Sequence, residues 1–359
     1  MVKLQRGVLA MCVVGMAALG AASPGRGGAA PAKAADGAEP LLTLTDEKAG
    51  VTAVAFSPDA TQIAATGGDG KARIWEAATG KLLQTVGAHA GPTVCLAWSP
   101  DSKHLAVGGF DRVLDVWDAA TGKRVDQHVQ SDAVNGVAFL PDGRLVTACG
   151  AELQWWKAGT AATVLKKASG DKTRFNRVAA SPEGEVIASD EADLVLVLSG
   201  KDGAKIAQLQ RPVDVPGGRV NHNLVRCLVP LGNSELLLSD GIGVFTWEWK
   251  ADKSTRLQKG AAWNVAMSPD QSLLVTAVTG SMATLNARNV DAKAPRPLVQ
   301  QTVKDPNIND LAISSKGDRL AVANGGKWTG AKWSDAGASA VYVYDLSAAA
   351  KLIPGAGAK

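Results

Sequence analysis

A tandem repeat of about 41 residues constrains this chain more than any other feature. A Ser-Pro-Asp turn or a close variant recurs with its proline at positions 58, 100, 141, 182 and 269. The first three intervals are 42, 41 and 41 residues, and the last spans about two periods with Pro230 near its middle. A seventh copy without the proline lies at 311–324. Such a series indicates units that bury their apolar faces against one another.

Each unit is predicted to form four short strands. In the first unit, alternating apolar residues predict strands at 51–56, 62–66, 72–75 and 82–86. Proline fixes φ at the second position of a type I turn and aspartate can bond its own backbone, so Ser-Pro-Asp ends the first strand. Small and large apolar residues alternate along these strands, which suits sheets stacked face to face. The sequence therefore predicts an all-β fold.

The second unit carries the residues of a known repeat. Residues 94–125 read VCLAWSPDSKHLAVGGFDRVLDVWDAATGKRV. The pattern resembles the WD40-repeat family of β-propellers. In that resemblance Trp75 and Trp117 take the place of the family tryptophan, Asp69 and Asp111 that of the turn aspartate six residues earlier, and His89 that of the histidine preceding a blade.

The resemblance implies a seven-bladed β-propeller of four-stranded antiparallel blades over residues 41–355. The last unit has little room for a fourth strand, and an unassigned strand lies at 41–45. We expect that N-terminal strand to join the last blade and close the propeller, because this would hide both sheet edges.

The family's buried polar network is predicted to be incomplete. Ala65 and Val107 stand where the family has Ser or Thr, and Glu47 stands where the first blade would have its histidine. We expect apolar packing between blades to supply most of the stability instead.

The N-terminus has the features of a secretory signal. Residues 1–22 combine Lys3 and Arg6, an apolar stretch and the small residues Gly20-Ala21-Ala22. Residues 23–40 are rich in Gly, Ala and Pro and are predicted to be a flexible linker. These segments predict an exported protein, periplasmic or extracellular, with no stable membrane span after cleavage; an uncleaved anchor is the alternative.

Charge and cysteine content exclude several classes of function. The formal net charge is +4, and no basic run suited to a phosphate backbone is present, so no nucleic-acid partner is expected. Cys95, Cys149 and Cys227 are spaced too widely for a metal ribbon and are predicted to be buried free thiols. No cofactor is predicted.

The sequence predicts no catalytic set, although one constellation keeps an alternative open. His104 and His128 are expected to be exposed and passive, and no nucleophile with its base is apparent. Five residues near the starts of first strands are predicted to gather at one mouth of the central channel: Asn135, Asn176, Asn264, Asn309 and Asp310. They could satisfy backbone groups or hold Ca²⁺, as in a propeller hydrolase of lactonase or esterase type or a sugar-binding protein.

Departures from the minimal repeat predict where a partner binds. Three segments are expected on one loop face: 166–177, 212–223 and the insertion 325–339. The candidate residues are Arg174 and Arg177, Arg219 and His222, and Lys327, Trp328, Lys332 and Trp333. The two tryptophans suit either a lid on the propeller or a recognition loop. The preferred function is a non-catalytic scaffold that binds another protein.

Overall fold

In a computed structural model of the chain, the described residues contain thirty β-strands. The structure describes residues 39–45, 50–157, 163–167, 174–190, 194–210, 225–232, 234–240, 243–259, 262, 264–278, 281–286, 297–302, 308–325, 327–328, 333–334 and 339–347. Within those ranges, no helix has the length and apolar character needed to cross a membrane.

The strands form seven four-stranded antiparallel sheets and one short hairpin. The first three sheets are β2 (Val51–Phe56), β3 (Gln62–Gly67), β4 (Ala72–Glu76) and β5 (Leu82–Val86); β6 (Thr93–Trp98), β7 (His104–Gly109), β8 (Val113–Asp118) and β9 (Arg124–Val129); and β10 (Val134–Phe139), β11 (Leu145–Cys149), β12 (Glu152–Trp156) and β13 (Thr163–Lys167). The next three are β14 (Phe175–Ala180), β15 (Val186–Asp190), β16 (Leu194–Leu198) and β17 (Lys205–Gln210); β18 (Cys227–Pro230), β19 (Glu235–Ser239), β20 (Gly243–Glu248) and β21 (Lys253–Lys259); and β22 (Asn264–Met267), β23 (Leu273–Val278), β24 (Ser281–Asn286) and β25 (Pro297–Thr302).

The seventh sheet combines strands from both ends of the chain. It contains β26 (Ile308–Ile313), β27 (Arg319–Asn324), β30 (Ala340–Asp345) and β1 (Leu42–Thr45), in that spatial order. Leu42 lies opposite Val343, and Thr45 lies opposite Ala340. The predicted pairing of the N-terminal strand with the last unit is therefore present. A separate hairpin, β28 (Lys327–Trp328) and β29 (Trp333–Ser334), lies between β27 and β30 in the chain.

A buried serine fixes the turn between the first two strands of several sheets. In the first sheet, the Ser57 hydroxyl donates to Asp59 Oδ1 at 2.6 Å and accepts from the Gln62 amide at 3.0 Å. Ser99 and Ser268 make the same pair of bonds, and Ser314 in the seventh sheet donates to Asp318 and accepts from the Arg319 amide. Because a buried hydroxyl needs partners for both its donor and its acceptor, these bonds explain why the Ser-Pro-Asp pattern recurs.

The same turns contain a residue in the left-handed backbone region. It is Gly143 in the third sheet, Gly184 in the fourth and Gly317 in the seventh, as expected where φ is positive. In the first, second and sixth sheets a non-glycine residue takes this conformation: Ala60, Ser102 and Gln271, with φ of 57°, 60° and 55°.

Neighbouring sheets pack through apolar side chains. Among the described residues, seven buried clusters each join two consecutive sheets, and one of them joins the seventh sheet to the first. The first strands of consecutive sheets contact one another, and β2 also contacts β26. This arrangement is a β-propeller with four-stranded antiparallel blades, which confirms that part of the sequence prediction.

The tryptophans and cysteines mostly follow the prediction. Trp98, Trp156, Trp247 and Trp249 are buried in the clusters between sheets. Cys95 and Cys149 are buried free thiols, as predicted, whereas Cys227 is only half-buried. Trp263 lies outside the described residues.

The prediction for His128 was wrong. Its side chain is 20% exposed, and its ring packs on Trp156 with the ring centroids 4.0 Å apart. The outer strand β9 turns this residue toward the third sheet, so the packing against Trp156 covers it. His104, also expected to be exposed, is half-buried.

Candidate functional site

A β-bulge near the start of the first strand distinguishes five of the seven sheets. In each of these sheets the strand register shifts by one residue, which leaves one extra residue on the first strand. The extra residues are Thr52, Val94, Asn135, Asn176 and Asn309. Because a bulge changes the direction of a side chain, these positions are suited to contacts outside their own sheet.

Side chains at this position join one sheet to the next. Asn135 Nδ2 donates to the Phe175 carbonyl at 3.3 Å, and Asn309 Nδ2 donates to the Val51 carbonyl at 2.6 Å. The Thr52 hydroxyl donates to the Thr93 carbonyl at 2.7 Å in the same way.

Asn264 plays the same part in the sixth sheet, where its Nδ2 donates to the Ile308 carbonyl at 3.2 Å. In these four bonds, the acceptor is on the residue just before the bulge of the next sheet or at the start of its first strand. The recurrence of asparagine at these places thus has a structural explanation, since each amide satisfies a backbone carbonyl.

Residues in or next to the first strands of all seven sheets line one cavity of about 310 Å³, called the central cavity below. Asn135, Asn264, Asn309 and Asp310 line it, so the structure brings together four of the five residues predicted to gather at the channel. Asn176 occupies the corresponding bulge of the fourth sheet and is not among the lining residues.

Arg177 is placed differently from the prediction. It was assigned to a basic loop on the partner-binding face, but it lies in β14, directly after the bulge, and lines the central cavity. Arg226 lines the same cavity from the residue before β18 and was not singled out in the sequence. The cavity therefore carries two guanidinium groups that sequence reasoning did not place there.

Asp310 is the carboxylate of this cavity. Its Oδ2 accepts from the Val54 amide of the first sheet at 3.0 Å, and its Oδ1 accepts from its neighbour Leu311 at 2.9 Å. Burial raises the pKa of Asp310 to about 6, although these amides and the charge of Arg177 favour the ionised form. Burial, together with the charge of Asp310, also raises the pKa of the Cys227 thiol to about 11.

The hypothesis that these residues bind Ca²⁺ gains no support from this geometry. Three of its asparagines use their amide nitrogens on backbone carbonyls, and two arginines share the cavity with the only carboxylate among its lining residues. Two guanidinium charges oppose a divalent cation. Among the residues that the structure describes, no group of three or more His, Cys, Asp or Glu side chains could hold a metal ion.

His89 forms the polar contact expected of the residue that precedes a blade. Its ring is buried and its Nδ1 lies 3.0 Å from Asp111 Oδ1. Its Nε2 lies 3.6 Å from Asp115 Oδ2, and Asp115 stands opposite Val107 in the strand register. Burial raises the pKa of Asp115, although the charge of His89 opposes this. A carboxylate from β8 thus approaches the histidine where Val107 cannot.

The first sheet replaces the histidine contact with an ion pair. Arg73 donates to Asp69 through both terminal nitrogens, at 3.2 and 2.6 Å. Arg73 lies opposite Ala65, as Asp115 lies opposite Val107. Trp75 is buried in the cluster that joins this sheet to the seventh. Glu47 lies outside the described residues.

The candidate partner-binding residues are only partly described. Arg174 is about one-third exposed, and its Nη1 lies 2.5 Å from Asp132 Oδ2. Trp328 and Trp333 are directly opposite each other in the β28–β29 hairpin, with Lys327 opposite Ser334. Arg219, His222 and Lys332 lie outside the described residues.

Comparison with known proteins gives the family of these repeats. A model of the WD domain, G-beta repeat, matches residues 38–76, 80–118 and 122–152. Three WD40 repeats are thus matched within residues 38–152. The resemblance inferred from Trp75, Asp69, Trp117, Asp111 and His89 is thereby confirmed.

A curated relative agrees with the WD40 assignment. An uncharacterized WD repeat-containing protein from Synechocystis sp. is 48% identical to this chain over 56 residues. The match covers 15% of this chain and 15% of that protein. WD40 propellers are generally non-catalytic scaffolds that bind other proteins, which agrees with the coarse functional prediction.

Proposed function

We propose that this WD40 protein is a non-catalytic scaffold that presents its loop face to another protein. The observation that carries the proposal is the hairpin β28–β29, inserted between the second and third strands of the seventh sheet. In the first and second sheets the same connection consists of residues 68–71 and 110–112. An insertion that places two tryptophans opposite each other in the strand register is suited to recognition, since aromatic residues dominate binding energies at interfaces.

The partner is proposed to be a protein of the cell envelope or of the extracellular space. This part depends on the N-terminal segment, for which residues 1–22 are proposed to be a cleaved signal, 23–40 a linker and 41–355 the propeller domain. The order of charged, apolar and small residues at 1–22 supports it.

Processing of the N-terminus tests the export proposal directly. The full chain is expressed in a bacterial host with a secretory pathway, and the periplasmic fraction is examined by intact-mass spectrometry. The expected mass corresponds to a chain beginning at or near Ser23. A chain that keeps Lys3 and Arg6 in the cytoplasm would contradict the proposal.

Substitution in the hairpin tests the scaffold proposal. The tagged chain is used for quantitative affinity purification from the envelope fraction of its source cells, with Trp328→Ser/Trp333→Ser as the variant. Lys81→Ser, an exposed change on the β4–β5 turn, is the control. We expect the wild type and the control to enrich the same protein. With the double variant, recovery of that protein falls at least ~10-fold, because loss of hot-spot aromatic residues costs more than about 1.4 kcal/mol of binding free energy.

Equal enrichment of every protein by the wild type and the double variant would show that the hairpin does not take part in partner binding. A melting temperature within about a degree of the wild type shows that the double variant is still folded.

We also propose that the seven sheets are the seven blades of one closed ring, with β1 completing the last blade. Support comes from the contact between β26 and β2, from the Asn309 bond to the Val51 carbonyl and from the apolar cluster that contains both Leu44 and Trp75. A ring of this kind leaves no first or last blade with an uncovered face.

A further inference from the structure

The central cavity has two unlike walls. On one side β2, β6 and β10 contribute Thr52, Asn135 and otherwise small or apolar residues, among them Ala53, Val94, Leu96 and Val137, with Phe110 from the β7–β8 turn. On the other side β14, the start of β18, β22 and β26 contribute Arg177, Arg226, Asn264, Asn309 and Asp310. Its volume of about 310 Å³ is near the lower limit of small-molecule sites.

Residue size at one level of the channel differs from sheet to sheet. The residue directly after the bulge is Ala53 in the first sheet, Cys95 in the second and Gly136 in the third, but Arg177 in the fourth. A Cβ added to Gly136 would lie 3.1 Å from the Val178 nitrogen and 3.5 Å from the Arg177 Cα. Glycine at 136 therefore keeps the third sheet close to the strand that carries Arg177.

The charge of the cavity is positive. Its lining residues include two arginines, which stay protonated at all relevant pH values, and one carboxylate. Guanidinium groups bind carboxylates with strong, directional hydrogen bonds, and such bonds are strengthened where water is largely excluded.

We propose that the central cavity binds a small organic carboxylate with an apolar body. The carboxylate lies toward Arg177 and Arg226, and the apolar body packs on Phe110 and the aliphatic residues of β6 and β10. This site is independent of the scaffold function, because it is formed by the first strands and not by the β28–β29 hairpin.

Asp310 makes this binding depend on pH. The groups around its carboxyl are the Val54 and Leu311 amides, the Cys227 thiol and Arg177. The pKa of its carboxyl is raised to about 6, so the negative charge that repels a second carboxylate is lost progressively as the pH falls through this value. Binding therefore strengthens as the pH falls, as long as the ligand itself stays ionised.

The experiment is calorimetric titration of the full chain with 3-phenylpropionate, and with 3-phenylpropan-1-ol as the uncharged analogue. We expect the acid to bind with a dissociation constant of roughly a millimolar or below, and at least ~10-fold more tightly than the alcohol. Between pH 7.5 and pH 5.5 the affinity for the acid rises roughly tenfold, because the fraction of protein with neutral Asp310 increases.

Three substitutions locate the site. Arg177→Met and Arg226→Met each weaken binding of the acid at least ~10-fold, as expected when a charge-assisted hydrogen bond is lost. Asp310→Asn raises the affinity for the acid at pH 7.5 and removes its pH dependence. This variant tests the site even where an arginine variant does not fold. Lys123→Met, which removes an exposed surface charge, leaves the affinity unchanged.

Three outcomes of these titrations contradict the proposal. No heat of binding from the acid at millimolar concentration, equal affinities for acid and alcohol, or a pH dependence that persists in Asp310→Asn would each overturn the proposal.

Discussion

At the scale of single residues, position 60 shows how the repeat tolerates strain. Ala60 has φ of 57°, in a turn where the third, fourth and seventh sheets use glycine. A side chain costs about 1 kcal/mol or more in this region, and part of this cost is offset because glycine gains more entropy on unfolding.

The prediction is a change of stability of opposite sign at two equivalent positions. Ala60→Gly raises the free energy of unfolding by about 0.5 kcal/mol, and Gly143→Ala lowers it by about 0.5 to 1 kcal/mol. Nothing lies within 4 Å of a Cβ added at Gly143, so only the backbone conformation acts there. Urea unfolding gives both values, and Ala120→Gly, an exposed turn residue without positive φ, is the control and is expected to destabilise.

Asp310 predicts a pH-dependent contribution to stability. The pKa is raised to about 6 in the folded protein from 3.8, so the folded state binds the proton more tightly. Its contribution is therefore most favourable below about pH 4 and is lost as the pH rises through 6. Relative to the wild type, Asp310→Asn gains on the order of 2 to 3 kcal/mol in the free energy of unfolding between pH 4 and pH 7.

Urea denaturation of the two proteins at pH 4 and pH 7 measures this difference, because the other titrating groups cancel. A difference that does not change with pH would show that Asp310 titrates normally in the folded protein.

The sequence predicted residues of the repeat better than residues of the cavity. His89 and Asp111 could be found from their distance to Trp117, because a family pattern fixes that spacing. Arg177 could not be placed, since a bulge shifts the strand register by one residue and no local pattern distinguishes a loop arginine from one in a bulged strand. The one available signal was that Arg177 directly follows Asn176, an asparagine at the start of a first strand.

At the scale of strands, β1 is short, yet it completes the seventh sheet and contributes to its packing on the first sheet. It has four residues, and Leu44 is buried where the seventh sheet packs on the first. Without β1 the outer edge of β30 would lose its backbone partners and Leu44 its packing.

Truncation of the chain before residue 46 is therefore expected to lower the melting temperature by about 3 to 6 °C, from a loss of about 2 to 4 kcal/mol. Truncation before residue 39, which leaves β1 intact, is the control and is expected to melt like the full chain. Scanning calorimetry measures both. Truncation before residue 46 without any measurable effect would show that β1 adds nothing to the stability of the seventh sheet.

Strand positions were predicted closely where turns are marked by Pro, Gly and Asp. The strands of the first unit agree within one residue, because Ser57-Pro58-Asp59 and the glycine turn leave little freedom. The hairpin β28–β29 was predicted only as an insertion, since two strands of two residues each have no periodicity to detect.

At the scale of the whole molecule, the first strands decide what the centre of the propeller can bind. The sequence indicated that polar residues gather there, but not that Arg177 and Arg226 share the space with Asp310. The sign of the charge in the cavity depends on which residues of the first strands line it, and this follows from three-dimensional packing.

Calcium is therefore expected to leave the melting temperature of the full chain unchanged. A metal that binds only the folded state must raise the melting temperature, and the two arginines oppose such binding. The measurement compares melting curves in millimolar CaCl₂ and in a chelator, with MgCl₂ as the control salt. A rise specific to calcium that Asn309→Ala abolishes would contradict the assignment of the asparagines to backbone carbonyls.

The shared seventh sheet also determines how the molecule responds to mechanical load. Leu42 pairs with Val343 at one end of the seventh sheet. The chain enters β1 at this end, and it leaves β30 at the same end, two residues after Val343. A force that separates the segments before β1 and after β30 acts across the strands, so it opens their hydrogen bonds one after another from that end. The two strands would unzip under such a pull at low force, whereas a pull along the strands would load all the bonds at once.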